Sequence, residues 1–174
     1  MSEPMRPDTW AQPLNVLGID NLHKVNDSLY RGAQPTEEGF RQLKKMGIKT
    51  IVNLRGFHSD KDEIGDVDLQ LEEIKIDTWK LDEDQVIRFI DIVSDTSNHP
   101  VFVHCLHDAY RTGTMNAMYR IVIEGWSKDE AIREMINGDY SYHSMWTNLP
   151  KLIQKIDVER IGKKSGLAEL LTVG

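Results

Sequence analysis

Residues 101–115 read VFVHCLHDAYRTGTM, and three features follow one another there in a fixed order. An apolar run typical of a buried strand, 101–103, comes first, and Cys105 stands two places after it. Five residues separate Cys105 from Arg111, which opens an Arg-Thr-Gly triplet and a run with helical spacing. In an open α/β sheet, ligands bind where loops leave the carboxyl ends of strands. The stretch therefore predicts a strand, a ligand-binding loop and a helix.

The loop between Cys105 and Arg111 predicts an anion site. A loop of this length between a strand and a helix can turn its backbone N–H groups inward, and the positive end of the helix dipole adds attraction for an anion. Arg111 can hold two phosphate oxygens bidentately, which a lysine cannot do. The same positive field favours the thiolate of Cys105, placed for in-line attack and a cysteinyl-phosphate intermediate. Because the loop and Arg111 neutralise the phosphate oxygens, we expect no metal and no cofactor.

The rest of the chain predicts strands that alternate with helices. That alternation is typical of a parallel or mixed sheet covered on both faces, an α/β fold. We divide the chain into an irregular N-terminal arm (1–20), one domain (21–160) and a C-terminal tail (161–174). The further predicted strands are 22–25, 29–31, 49–54 and 69–76; the predicted helices follow Thr36, span 82–95 and 112–123, follow Ser127 and span 146–158.

Composition limits the classes of partner. The chain has 174 residues, of which 40% are hydrophobic, enough for one domain with a full core. Its formal charge is -7 and its pI about 5.3, so we expect no nucleic-acid partner and no attraction to anionic lipid. We also expect no membrane span, because no apolar stretch is long enough. Cys105 is the one cysteine, which excludes an internal disulfide. No pattern in the sequence indicates an oligomeric state.

The N-terminus bears on the compartment. The first residues lack the basic-then-apolar pattern of a secretory signal peptide. As written, the chain is expected in the cytoplasm; a mature chain already processed would be periplasmic or secreted.

The pattern His-Cys-x5-Arg-Thr-Gly resembles the signature loop of the protein tyrosine phosphatase superfamily. The segments LYRGAQP at 29–35, KTIVNLR at 49–55 and GWS at 125–127 are similar to the compact bacterial dual-specificity-like phosphatases. The resemblance implies a phosphotyrosine protein phosphatase-like fold, with a central mostly parallel sheet flanked by helices. It further implies hydrolysis of a phosphorylated protein or of a small phosphomonoester.

The resemblance also implies roles for single residues. Cys105 would be the nucleophile, Arg111 the phosphate clamp and Thr112 the donor of a hydrogen bond to the departing sulfur. His104 would orient the loop by hydrogen bonding. The backbone that would hold the phosphate oxygens belongs to Leu106, His107, Asp108, Ala109, Tyr110 and Arg111.

Two loop positions depart from the family pattern. Asp108 stands where the family has glycine; aspartate tolerates a positive φ better than most residues, but its carboxylate opposes a dianion. Tyr110 stands where close relatives often have an aspartate that acts as general acid, and a tyrosine is a poor proton donor at neutral pH. Asp77 is therefore the first candidate for the acid and Asp82 the second. Both have ordinary alternatives, Asp77 as a solvated loop charge and Asp82 as a helix N-cap.

Three other interpretations stay open. A pseudophosphatase would retain the phosphate cradle and bind phosphorylated ligands without efficient turnover. A rhodanese-like sulfurtransferase also uses a cysteine loop between strand and helix, although the Arg-Thr-Gly exit argues against it. His104, Cys105 and His107 offer three zinc ligands in four residues, a weak signal without a distant fourth. Because the loop contributes few cations, it favours phosphotyrosine or aryl phosphates over inositol polyphosphates.

Overall fold

The strands of the chain pair into one mixed sheet. The computed structural model describes residues 6–55, 59–76, 82–106, 110–138 and 148–165. Within these ranges the strands are β1 (Gln12–Pro13), β2 (His23–Asn26), β3 (Leu29–Gly32), β4 (Thr50–Arg55), β5 (Gln70–Ile76) and β6 (Val101–His104).

The order of strands across the sheet places β6 in its interior. The order is β1-β2-β3-β6-β4-β5, so the last strand in the chain lies between β3 and β4. The first three strands are antiparallel neighbours, whereas β3, β6, β4 and β5 run parallel. In the register, His104 lies opposite Gly32 on one side and Asn53 on the other. The carboxyl ends of three parallel strands therefore meet at one edge of the sheet.

Helices cover both faces of this sheet. On one face Val103 of β6 belongs to the same apolar cluster as Phe89 and Met115, which lie on two of the helices. On the other face Phe102 belongs to a cluster with Phe40, from the first helix. The described helices are α1 (Glu37–Lys45), α2 (Lys61–Ile64), α3 (Glu83–Ser94), α4 (Tyr110–Val122), α5 (Lys128–Asn137), α6 (Asn148–Lys155) and α7 (Val158–Lys164). The predicted α/β class, with a mostly parallel sheet flanked by helices, is confirmed.

Strand β6 is buried at every residue, because both of its faces are covered by helices. This double burial explains why 101–103 is an uninterrupted apolar run.

The N-cap residues predicted for two helices are confirmed. The Thr36 hydroxyl accepts the backbone N–H of Gly39 at 3.1 Å, and the Ser127 hydroxyl accepts that of Glu130 at 3.1 Å. Each satisfies one of the free amides at a helix start.

The N-terminal arm is tied to the rest of the chain. Its residues 12 and 13 form β1 against β2, so the arm contains a short strand that the sequence did not predict. Trp10 is 7% exposed, and its indole N–H donates to the Glu130 carboxylate at 3.0 Å. Ala11 is fully buried in the main apolar cluster.

The prediction of one last helix over 146–158 is wrong at its carboxyl end. Helix α6 ends at Lys155, and α7 begins after Asp157, whose carboxylate accepts the backbone N–H of Arg160 at 3.1 Å. Ile161 of α7 is fully buried in the cluster that also contains α3 and α4. Tertiary packing of Ile161 thus supports a helix whose own sequence, with Gly162 and two lysines, favours one weakly.

None of the described helices combines the length and apolar composition needed to cross a membrane.

Candidate active site

Cys105 lies directly after the carboxyl end of β6. Its thiol is free, and the residue is almost fully buried, at 4% exposed, against the apolar cluster that contains Val103 and Met115. Because β3 and β4 flank β6 in parallel, the loop that starts at Cys105 leaves the sheet at the edge where ligands of such sheets bind.

The chain after Cys105 returns through α4. Leu106 is 45% exposed, and its carbonyl accepts the backbone N–H of Gln34 at 3.2 Å. Helix α4 begins at Tyr110, so Arg111 and Thr112 lie in its first turn, next to the positive end of the helix dipole. The Thr112 hydroxyl is buried and, among the described residues, has no hydrogen-bond partner. The order strand, loop and helix is thus the predicted one.

The His104 ring is held on the opposite face of β6 from the apolar cluster of Cys105. It stacks on Phe102, with ring centroids 5.8 Å apart, and meets the Phe40 ring edge-on at 6.5 Å. Its Nδ1 lies 3.3 Å from the Cys105 carbonyl oxygen, and its Nε2 lies 2.5 Å from a carboxylate oxygen of Asp60. The ring therefore links the backbone of Cys105 to a residue far away in the sequence.

Asp60, the residue that holds the His104 ring, was not predicted from the sequence. It directly precedes α2 and is fully buried. Its second carboxylate oxygen accepts a hydrogen bond from Gln34 Nε2 at 2.8 Å, and Gln34 Oε1 accepts one from Arg55 at 3.0 Å. Gln34 and Arg55 belong to the segments that carried the family resemblance, but Asp60 lies in a charged stretch without periodicity. No local signal distinguishes Asp60 from the other acids that surround it.

Several predicted site residues lie outside the described ranges. They are Asp77, His107, Asp108 and Ala109, together with the side chain of Tyr110. Asp82 is described: it is exposed and is the N-cap residue of α3, with its backbone N–H donating to Gln85 Oε1 at 2.9 Å. This capping place accounts for an aspartate at 82 without a catalytic role. The structure thus brings together Cys105 and His104 and leaves the general acid unassigned.

Metal ligation receives no support from the part of the chain that the structure describes. No group of three or more His, Cys, Asp and Glu side chains there is placed to hold an ion. His104, one of the three ligands considered from the sequence, is already engaged by Asp60.

A family model described as "DSP-PTPase phosphatase fused to NAD+ Kinase" matches residues 18–148. That match includes the loop from Cys105 to Arg111 and the segments that contribute Gln34 and Asp60. It covers most of the chain.

Individual relatives agree with this match. The chain is 28% identical over 157 residues to the dual specificity protein phosphatase TpbA of Pseudomonas aeruginosa, covering 88% of this chain and 70% of that protein. A crystal structure of a cysteine-to-serine variant of P. aeruginosa TpbA in complex with phosphotyrosine superposes with a TM-score of 0.80 at 26% identity, covering 90% and 96% of the two chains. A more distant relative is an Arabidopsis thaliana inositol diphosphatase, DSP3, 24% identical over 124 residues that cover 66% of this chain and 60% of that protein.

Proposed function

The chain belongs to the phosphatase family whose model is described as "DSP-PTPase phosphatase fused to NAD+ Kinase". From that premise we propose how this cysteine-dependent phosphatase works and which phosphomonoesters it hydrolyses. The observation that carries the proposal is the place of Cys105, at the carboxyl end of an interior strand and five residues before the first turn of α4. An anion in that loop would meet the helix dipole and the Arg111 guanidinium.

The proposed reaction has two steps. The Cys105 thiolate attacks phosphorus, an S–P bond forms, and the ester P–O bond breaks as the leaving oxygen takes a proton from a general acid. Water then attacks the cysteinyl phosphate, releasing inorganic phosphate and the thiolate. Arg111 holds two phosphate oxygens in both steps. The buried hydroxyl of Thr112, which has no hydrogen-bond partner within the described ranges, supports its assignment as the donor that stabilises the departing sulfur.

Asp77 is the proposed general acid. It follows β5, which ends at Ile76 and runs parallel to β4 and β6, so β5 ends at the same edge of the sheet as Cys105. Asp82 remains the second candidate, with the N-cap position as its alternative explanation.

Phosphotyrosine in proteins is the proposed substrate. TpbA is a dual specificity protein phosphatase, and its variant was crystallised with phosphotyrosine. The loop sequence supports the same choice, because His107 is the one basic residue among the five between Cys105 and Arg111, and Asp108 adds a negative charge that opposes highly phosphorylated inositols.

The decisive experiment compares the chain with its Cys105→Ser variant. With p-nitrophenyl phosphate and a phosphotyrosyl peptide, we expect turnover that falls by at least about 10³-fold in the variant, because the hydroxyl is a far weaker nucleophile. Serine is nearly isosteric, so the variant should bind the peptide in a calorimetric titration.

Two outcomes would contradict the proposal. Binding of phosphotyrosyl peptide by the unaltered chain without any turnover would instead support the pseudophosphatase, as expected if Asp108 and Tyr110 impair the loop. A higher kcat/KM on a diphosphoinositol polyphosphate than on the peptide would reject the substrate assignment.

A further inference from the structure

We propose that Asp60 is a positioning residue for the signature loop, acting through His104 on the backbone of Cys105. This inference rests on the proposed function, because it assigns Asp60 a part in holding the nucleophile. It deepens that function by bringing in a residue outside the signature loop and outside the short segments 29–35, 49–55 and 125–127.

The surroundings of Asp60 show that its carboxylate serves more than the helix that follows it. Asp60 stands at the N-cap of α2, where an aspartate normally accepts a backbone N–H, but its side chain makes no such capping bond. The carboxylate points instead to Gln34 Nε2 and His104 Nε2, at 2.8 and 2.5 Å. A fully buried carboxylate is costly unless it is paired, so these bonds explain why an ionised group can lie there.

Asp60 determines the role of each His104 nitrogen. A carboxylate and a carbonyl oxygen both accept hydrogen bonds, so the ring donates to Asp60 through Nε2 and to the Cys105 carbonyl through Nδ1, and it carries a proton on each nitrogen while both bonds are made. The stacking on Phe102 and the edge contact with Phe40 hold the plane of the ring. In that orientation Nδ1 lies 3.3 Å from the Cys105 carbonyl oxygen. By holding Nε2 of His104, Asp60 therefore also fixes the peptide plane between Cys105 and Leu106, the first of the loop.

Gln34 holds the next carbonyl of the loop from the same network. Its backbone N–H donates to the Leu106 carbonyl at 3.2 Å, while its side chain donates to Asp60. A trans peptide directs its N–H away from its C=O. Holding the Cys105 carbonyl against His104 thus directs the Leu106 N–H to the opposite side, as an oxyanion cradle requires. Asp60 touches both residues that hold these consecutive carbonyls.

The reactivity of Cys105 reports on this arrangement. The described charged and titratable groups on the elements around this point are Asp60 and Glu63 at α2, Arg55 at the end of β4, Arg111 in α4 and the buried Arg31 of β3, whose Nη2 lies beside Gly113, besides His104 and Cys105 themselves. As a mere nearby negative charge, Asp60 would disfavour the thiolate, and its removal would lower the pH at which Cys105 becomes reactive. As a positioning residue, it favours the thiolate through the loop, and its removal would raise that pH. The two roles therefore predict opposite shifts of the pH at which Cys105 becomes reactive.

The test measures alkylation of Cys105, the one cysteine of the chain, by iodoacetamide between pH 4 and 9 in the full chain and in Asp60→Asn. We expect the pH of half-maximal alkylation to rise by about one unit, which makes alkylation roughly tenfold slower below it. The kcat/KM for p-nitrophenyl phosphate should fall at least as far. Asp62→Asn, the same change at an exposed place two residues on, should match the unaltered chain in both measurements.

A midpoint that stays or falls in a folded Asp60→Asn would overturn the proposal. If that variant fails to fold, His104→Gln provides the second test: its amide can still donate to Asp60, but the bond to the Cys105 carbonyl is lost. That variant must show the same upward shift, and an unshifted midpoint would likewise overturn the proposal. Alkylation needs no turnover, so failure of the phosphatase assay on the unaltered chain would count against the proposed function alone.

Discussion

At the scale of single residues, the leaving group needs a proton donor, and two carboxylates are candidates. Asp82 is exposed and caps α3, a helix start that gains from an acid whether or not the acid reacts. Asp77 comes directly after β5, which ends at the same edge of the sheet as β6. Asp77 is therefore the proposed acid, with a solvated loop charge as its alternative.

Leaving-group dependence separates Asp77 from Asp82. In Asp77→Asn we expect kcat for phenyl phosphate to fall by about 10² to 10³-fold, because phenolate must be protonated as it leaves. The same variant should lose much less on p-nitrophenyl phosphate, whose leaving group departs readily without a proton. Asp82→Asn is the matched control and should retain both rates. The reverse pattern would assign the acid to Asp82.

At the scale of elements, α1 is packed backbone to backbone against the turn at Gly18. A Cβ added at Gly39 would come within 2.4 Å of the Gly18 carbonyl oxygen, and Gly18 itself has a φ of +87°. The backbone N–H of Thr36, at the start of α1, donates to that same oxygen at 3.0 Å. Because Gln34 lies two residues earlier, the seating of α1 also sets where Gln34 meets the signature loop.

Two glycine-to-alanine changes should have opposite effects on stability. Gly39→Ala removes a helix-weakening glycine but forces two backbones apart, and we expect a loss of about 1–3 kcal/mol in the free energy of unfolding. Gly162→Ala lies in α7 with nothing within 4 Å of the added Cβ, so we expect a gain of up to about 1 kcal/mol from helix propensity. Urea denaturation measures both; equal effects would show that the contact with Gly18 is not rigid.

At the scale of the whole molecule, a buried ion pair joins three separate parts of the chain. Glu134 of α5 is fully buried and accepts hydrogen bonds from Arg120 of α4 through Nε and Nη2, both at 2.9 Å. It also accepts the backbone N–H of Ala11 at 2.8 Å and the Asn116 amide at 3.2 Å. The network thus attaches the N-terminal arm and α5 to the helix that carries Arg111.

The pair makes stability depend on pH. Burial works to raise the pKa of Glu134, but the hydrogen bonds and the charge of Arg120 outweigh burial and hold that pKa below its ordinary value of 4.5. A lowered pKa in the folded state gives stability that is complete above the ordinary value and is lost as the pH falls through the lowered one. This contribution is therefore present at neutral pH and disappears in acid.

Glu134→Gln should remove that contribution. We expect the free energy of unfolding at pH 7 to fall by about 3 kcal/mol, because Arg120 is left buried without its countercharge. Between pH 5 and 3 the variant should lose less further stability than the unaltered chain. Glu159→Gln, an exposed change on α7, should alter stability by less than about 0.5 kcal/mol at either pH. Parallel acid profiles for Glu134→Gln and the unaltered chain would contradict the assignment.

Local patterns in the sequence predicted most of the elements and the place of Cys105 between a strand and a helix. The apolar run 101–103, the helix signals at Thr36 and Ser127 and the spacing of Cys105 and Arg111 each depend on residues a few places apart. Such patterns reflect the side-chain periodicity and the backbone hydrogen bonding of one element, which residues a few places apart determine. The weak pattern of α7 escaped detection because its helix depends on the burial of Ile161 elsewhere in the molecule.

Only the tertiary structure decided which distant groups meet. The placing of β6 between β3 and β4 brings His104 beside Asp60, 44 residues earlier, and beside the segment of Gln34. In the sequence Asp60 is one acid among several, since nothing local records that its carboxylate will be enclosed. Burial is a property of the assembled fold, and it is burial that turns an ordinary aspartate into a fixed partner for the histidine that precedes Cys105.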